Sequence, residues 1–142
     1  MSYTRSQIQE KIQSLNFPVG KYIVLGGASL AMRGMRETRD IDILVIPEFF
    51  EELIRQGWTL DSEFEQKWHR KRLVREDVEV YQNLYFDAKK ESVDAEEVIK
   101  IAEMIDGISF QPLDHLLMAK QDSGREKDLR DVELIRSYLA GC

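Results

Sequence analysis

A chain of 142 residues has the length of one domain, and 43% apolar with 32% charged residues describes a folded globular protein, not a disordered one. Its net charge of −6 argues against bulk electrostatic binding to nucleic acid, though not against a local basic patch that meets one RNA end. The single cysteine, Cys142, leaves no internal disulfide to form and fits a reducing compartment. No stretch approaches about 18 consecutive apolar residues and residues 1–11 lack the apolar core of a signal peptide, so no membrane span and a cytoplasmic location are expected.

Ile8, Ile12 and Leu15 fall at helical spacing behind Thr4 and Ser6, either of which can cap, which predicts a helix over 4–15 that Pro18 and Gly20 break. Residues 21–25 read as an apolar strand, Gly26 and Gly27 as the turn after it, and about 28–35 as a helix with Gly34 near its end. A second strand covers about 40–46. Pro47 suits the first turn of the next helix, Glu48, Glu51 and Glu52 suit its positive N-terminal end, and Gly57 closes it. Within residues 58–75 one strand ending near Arg75 is expected, with a turn at Glu76 and Asp77 and a return strand over 78–86 in which Glu79 and Tyr81 share a face. A short acidic helix is expected over about 93–100. Asp106-Gly107 is a tight-hairpin signal between residues 103–105 and 108–110. Pro112 opens a helix to about residue 122, Gly124 punctuates it, and a last helix runs over about 126–139. Leu129, Val132, Leu134, Ile135 and Leu139 supply the apolar face of that last helix. The expected fold is therefore α+β, one domain over 1–142: a mixed sheet with flanking helices and a C-terminal helical pair.

Residues 21–46, KYIVLGGASLAMRGMRETRDIDILVI, hold the first chemical feature. Asp40 and Asp42 lie two apart, so on one strand they face the same way, roughly 6–7 Å from each other. Their repulsion is on the order of 2–3 kcal/mol at an effective dielectric of about 20. A strand gains nothing from that repulsion, so a cation between them is expected, and Mg2+ is the obvious one. Gly26 and Gly27 would let backbone approach a phosphate at the new helix N-terminus, with Ser29 donating to a phosphate oxygen. On the later strand, Glu79 is the preferred third carboxylate, with Asp77 the alternative. At the C-terminal end Lys120, Arg125, Lys127, Asp128 and Asp131 combine cations that would meet a triphosphate with acids that would orient them. The basic run Lys67, His69, Arg70, Lys71, Arg72 reads first as a solvated strand face and second as a contact for RNA or a nucleotide. His69 and His115 have no partners at metal-ligand spacing, and neither a phosphate-loop nor a nucleophile-elbow motif occurs.

The segment GGASLAMRGMRETRDIDILV resembles the signature of the nucleotidyltransferase superfamily with the DNA polymerase beta-like fold: a G-G or G-S turn, about a dozen residues, then D-x-D. Its R-x-T before D-I-D, with the later K…R-x-K-D-x-x-D, is similar to the AbiEii-like branch, many members of which are toxins of toxin–antitoxin pairs. The matching residues are Gly26, Gly27, Ser29, Arg36, Thr38, Asp40 and Asp42, then Lys120, Arg125, Lys127, Asp128 and Asp131. The resemblance implies a mixed sheet with the acids at one end and magnesium-dependent transfer of a nucleotidyl group from an NTP, releasing pyrophosphate. Asp40 and Asp42, with Glu79 in place of the more usual aspartate, would bind metal. Gly26, Gly27, Ser29, Lys120, Arg125 and Asp128 would hold the triphosphate or support it. The acceptor would be a tRNA end, a protein hydroxyl or a small molecule, and an antitoxin would be the partner. The alternative is a catalytically weak nucleotide-binding or partner-binding module of such a pair.

Overall fold

The computed structural model describes residues 2–86 and 91–141. Within them the chain is a mixed α+β structure built on a seven-stranded sheet. Helix α1 (Arg5–Leu15) starts at Thr4. The Thr4 side chain accepts from the Gln7 amide, and the Gln7 side chain accepts the Thr4 amide at 2.9 Å. This reciprocal capping satisfies two amides that an uncapped helix leaves without partners.

Strand β1 (Tyr22–Leu25) runs into α2 (Gly26–Met32), and the chain returns as β2 (Ile41–Val45), antiparallel to β1. Helix α3 (Pro47–Arg55) has Pro47 in its first turn, as the sequence predicts. Strand β5 (Val78–Tyr81) lies parallel to β2 on its other side, and β9 (Ile108–Phe110) lies parallel to β1. The C-terminal end of β1 and the N-terminal ends of β2 and β5 therefore meet at one end of the sheet.

Alternation along the strands assigns the two faces. Ile41, Ile43 and Val45 of β2 and Val78 and Val80 of β5 join Ile8 and Ile12 of α1, Ala31 of α2 and Phe50 and Leu53 of α3 in the largest core. Leu44, Ile23 and Leu25 pack on the opposite face beneath Ala95 and Val98 of α5 (Ala95–Ile99). Asp42 and Glu79 belong to this second face. A third cluster of Leu30, Leu116 and Ile135 fixes α6 (Leu113–Ser123) and α7 (Glu126–Ala140) to α2. Gly124, at φ +65°, ends α6 and turns the chain into α7 within two residues. The hairpin of β8 (Glu103–Ile105) with β9 forms at Asp106 and Gly107, both at positive φ, as a tight two-residue turn requires.

Three expectations are corrected. The strand expected within residues 58–75 ends at Arg75 as read, but it begins only at Arg72. Only Thr59–Leu60 (β3) and Arg72–Arg75 (β4) are extended, and α4 (Ser62–Trp68) lies between them. Asp61 caps that helix by accepting the Phe64 amide at 3.1 Å, and His69 ends it in the left-handed region at φ +56°. The strand over 78–86 breaks at Gln82. Residues Asn83–Phe86 (β6) leave the main sheet and pair with Glu91–Asp94 (β7) as a separate two-stranded unit, because their pairing partner lies later in the chain. The inward face of α7 is also mixed, not apolar. Val132 and Ile135 are buried as expected, but so are Asp128 and Asp131, whereas Leu129 and Leu139 are 49% and 44% exposed.

Candidate functional site

The end of the sheet where β1, β2 and β5 meet opens into a cleft of about 550 Å³. Gly26, Gly27, Asp40 and Asp42 line one side, and Lys120, Arg125, Lys127, Arg130 and Asp131 line the α6–α7 side. The residues predicted at the two ends of the chain are thus brought to one place. A second hollow, of about 610 Å³ beside Ile101, Pro112, His115 and Met118, shares no residue with this cleft.

Asp42 is opposite Leu25 on β1 and in register with Glu79 on β5. Its carboxyl is pushed up to about 7, first by burial and then by the charge of Glu79, a hydrogen bond with Glu79 and the charge of Asp40, with Lys120 opposing. Two carboxyl groups in contact require a proton or a cation between them. Asp40 precedes β2 and is exposed at the mouth of the cleft.

Of the two acids left open as the third carboxylate, only Glu79 stands beside Asp42. Asp77 lies in the preceding turn, where its Oδ2 accepts from the Tyr3 hydroxyl at 2.8 Å and its carbonyl from the Ile41 amide at 3.0 Å. Glu79 is already engaged: Oε2 accepts from the Tyr81 hydroxyl at 2.8 Å and from Arg72 Nη1 at 3.1 Å. Burial, reinforced by the charge of Asp42, holds the Tyr81 hydroxyl above its usual range, so it serves as a donor at neutral pH. Among the described residues, no three His, Cys, Asp or Glu side chains converge as a metal site. The oxygen donors of Asp40 and Asp42 nevertheless suit Mg2+, which is commonly held by one or two carboxylates and completed by substrate phosphates and water.

The α6–α7 wall is a network of ion pairs. Lys120 Nζ lies 3.1 Å from Asp128 Oδ1 and 3.0 Å from Asp131 Oδ2. Asp131 also receives Arg36 in two parallel bonds, Nε to Oδ1 at 2.8 Å and Nη2 to Oδ2 at 2.9 Å. Asp128, only 1% exposed, accepts from Ser123 at 2.6 Å and from Arg125 Nε at 2.8 Å. Burial works against the charge on both acids, but the bonds from Ser123, Arg125 and Lys120 to Asp128, and from Arg36 and Lys120 to Asp131, outweigh it and leave both carboxyls below their usual range. Asp128 was expected among the nucleotide-binding residues. Its buried carboxylate takes the supporting part of that role, holding Lys120 and Arg125 in position.

Ser29 is the clearest displacement from expectation. It is fully buried, its hydroxyl donates to the Gln111 carbonyl at 2.8 Å, and that oxygen also accepts from Arg33. It therefore ties α2 to the end of β9 and offers no group to a phosphate in the cleft. The two glycines differ as well. Gly26 adopts φ +61° and a Cβ there would lie 3.6 Å from Asp42 Oδ2. A Cβ on Gly27 would lie 2.5 Å from Thr38 Oγ1 and 3.1 Å from Arg36 Nη2, so the close approach at Gly27 is made by the chain's own side chains. Sequence reasoning missed Arg72 and Tyr81 around Glu79 and assigned no role to Arg130. The basic run and the shared face of Glu79 and Tyr81 were the available signals for the first two. Compared with known protein families, curated proteins and solved structures, the chain shows no significant match in any of the three.

Proposed function

We propose that the protein is a magnesium-dependent nucleotidyltransferase of the DNA polymerase beta-like fold, moving NMP from an NTP to an acceptor hydroxyl with release of pyrophosphate. The observation that carries this reading is the cleft itself, with Asp40 and Asp42 on one wall and Lys120, Arg125, Lys127 and Arg130 on the other. A polyphosphate spanning it would meet cations along its length and carboxylates at one end. Asp40 and Asp42 would hold Mg2+, which when bound supplies charge stabilisation to the attacking and leaving oxygens. Lys120, oriented by Asp128 and Asp131, would bind the triphosphate, and Arg125 would add a second charge-assisted contact. The acceptor hydroxyl oxygen attacks the α-phosphorus, the bond from that phosphorus to the bridging oxygen breaks, and pyrophosphate leaves. The hydroxyl proton passes to the Asp42–Glu79 carboxyl pair.

A second reading, a nucleotide-binding or partner-binding module of a toxin–antitoxin pair with little catalysis, is favoured by one observation. Glu79 is held by Arg72 and Tyr81 instead of standing free beside the aspartates. One experiment separates the two. The protein is incubated with each labelled NTP, magnesium, and cell RNA or protein extract. Label entering an acceptor, and lost in the Asp40→Asn/Asp42→Asn double variant with the fold retained, supports the transferase. NTP binding with no labelled acceptor supports the module.

A further inference from the structure

We propose that Arg72 is a positioning residue that holds Glu79 beside Asp42 but outside the ligand set of the cation, so that a divalent ion in the cleft meets two carboxylates and not three; this rests on the nucleotidyltransferase reading of the cleft. Arg72 lies on β4 opposite Tyr81 of β5, and alternation along β5 puts Glu79 on the same face as Tyr81. The guanidinium divides between two acids. Nε and Nη2 reach Asp61 Oδ2 at 2.9 and 2.8 Å, and Nη1 reaches Glu79 Oε2 at 3.1 Å. The Phe64 ring backs the group, its centroid 4.2 Å away. Asp61 is itself fixed as the cap of α4. A planar fork anchored this way holds its second acid in one orientation.

Glu79 Oε2 accepts a second bond, from the Tyr81 hydroxyl at 2.8 Å. Two donors on one carboxylate oxygen take up its lone pairs. The positive charge of Arg72 also offsets the negative charge of Glu79, which leaves Asp40 and Asp42 as the charge that a cation meets. Those two aspartates line the cleft, and Glu79 does not. Register alone would set a third carboxylate at the cation, since Glu79 is level with Asp42. The arginine makes it a support instead. A site of two carboxylates leaves coordination positions open to substrate phosphates and water.

The test measures magnesium binding to the full chain at about pH 8 without nucleotide, by calorimetry and by the melting shift. In Arg72→Met, which keeps an apolar stem against Phe64, the half-saturating magnesium concentration should fall about tenfold, because the released Glu79 adds its charge and its oxygens to the site. The gain should vanish in Arg72→Met/Glu79→Gln, and Arg72→Lys, which keeps the charge, should stay near the wild type. A merely structural role for Arg72 would weaken magnesium binding on its loss, so the direction of the change separates the two. Tyr81→Phe leaves Arg72 in place and should give a smaller gain of about threefold. If Arg72→Met does not fold, no gain in Tyr81→Phe overturns the proposal. So does unchanged or weaker binding in a folded Arg72→Met, or a gain that persists without Glu79. Tighter magnesium in Arg72→Met with no label transferred to any acceptor would sink the reading of the cleft and leave the role of Arg72 standing. Transfer by the wild type, with no gain in Arg72→Met, would do the reverse.

Discussion

Asp42 and Glu79 stand in register on the adjacent parallel strands β2 and β5, with their carboxyl groups hydrogen-bonded to each other. With no cation between them, burial and the neighbouring charge push the Asp42 carboxyl up to about 7, so the pair keeps a proton below that pH.

The folded-state value of about 7 for Asp42 lies above its unfolded value. The folded state therefore binds more protons between about pH 4 and 7, and stability falls as pH rises through that window. In metal-free buffer at pH 8, Asp42→Asn is expected to be more stable than the wild type by about 1–2 kcal/mol, an amount reduced by the solvent in an open cleft. The difference should vanish near pH 4. Denaturant titrations across that range measure it, and a constant difference would contradict the assignment.

Magnesium should raise the melting temperature of the wild type at pH 8, since a ligand that binds only the folded state stabilises it by mass action. In Asp40→Asn/Asp42→Asn the shift should disappear. Differential scanning fluorimetry with a magnesium series, and calcium as a comparison, reads this directly.

Asp131 joins three elements, since Arg36 precedes β2 and Lys120 sits on α6. Replacing it with alanine removes the two-bond partner of Arg36 and leaves Lys120 with Asp128 alone, at an expected cost of about 1–3 kcal/mol. Its carboxyl and that of Asp128 lie below their usual range, so the stability they contribute is present above about pH 4 and lost as pH falls. Acid melts should therefore be shallower for Asp131→Asn than for the wild type.

Gly27→Ala would place a methyl group 2.5 Å from Thr38 Oγ1, tighter than any relaxed contact. We expect a loss of about 1–3 kcal/mol, partly restored by Thr38→Ala in the same chain. Urea unfolding of the single and double variants tests it. No recovery in the double variant would assign the strain to Arg36 instead.

Ser29→Ala separates the structural role of Ser29 from the predicted one. Removing the hydroxyl that joins Gln111 and Arg33 should cost about 1–2 kcal/mol. Nucleotide affinity, measured by calorimetry at a temperature where the variant is folded, should be unchanged. A tenfold loss of affinity would return Ser29 to the phosphate site.

Much of the architecture was legible in the chain because local chemistry decides it. Thr4 and Gln7 cap a helix reciprocally, Pro47 opens one, Asp106-Gly107 folds a tight hairpin, and alternation puts Glu79 and Tyr81 on one face. The end of β4 at Arg75 was legible, but α4 before it was not, because a single capping bond from Asp61 turns an ambiguous segment into a helix. The break at Gln82 was hidden because β6 pairs with residues that follow it, not with the strand before it.

Residue types and their spacing say which groups are available: two aspartates beside a glycine turn, an acid on a later strand, and a mixed cluster near the C-terminus. Tertiary structure decided which of them face one another. It set Glu79, not Asp77, beside Asp42, because strand register is a long-range property. It buried Ser29 and Asp128 as supports, and it joined Arg36 to Asp131 across 95 residues of chain. Side-chain type fixes what a group can donate or accept, but only packing fixes what has already claimed it.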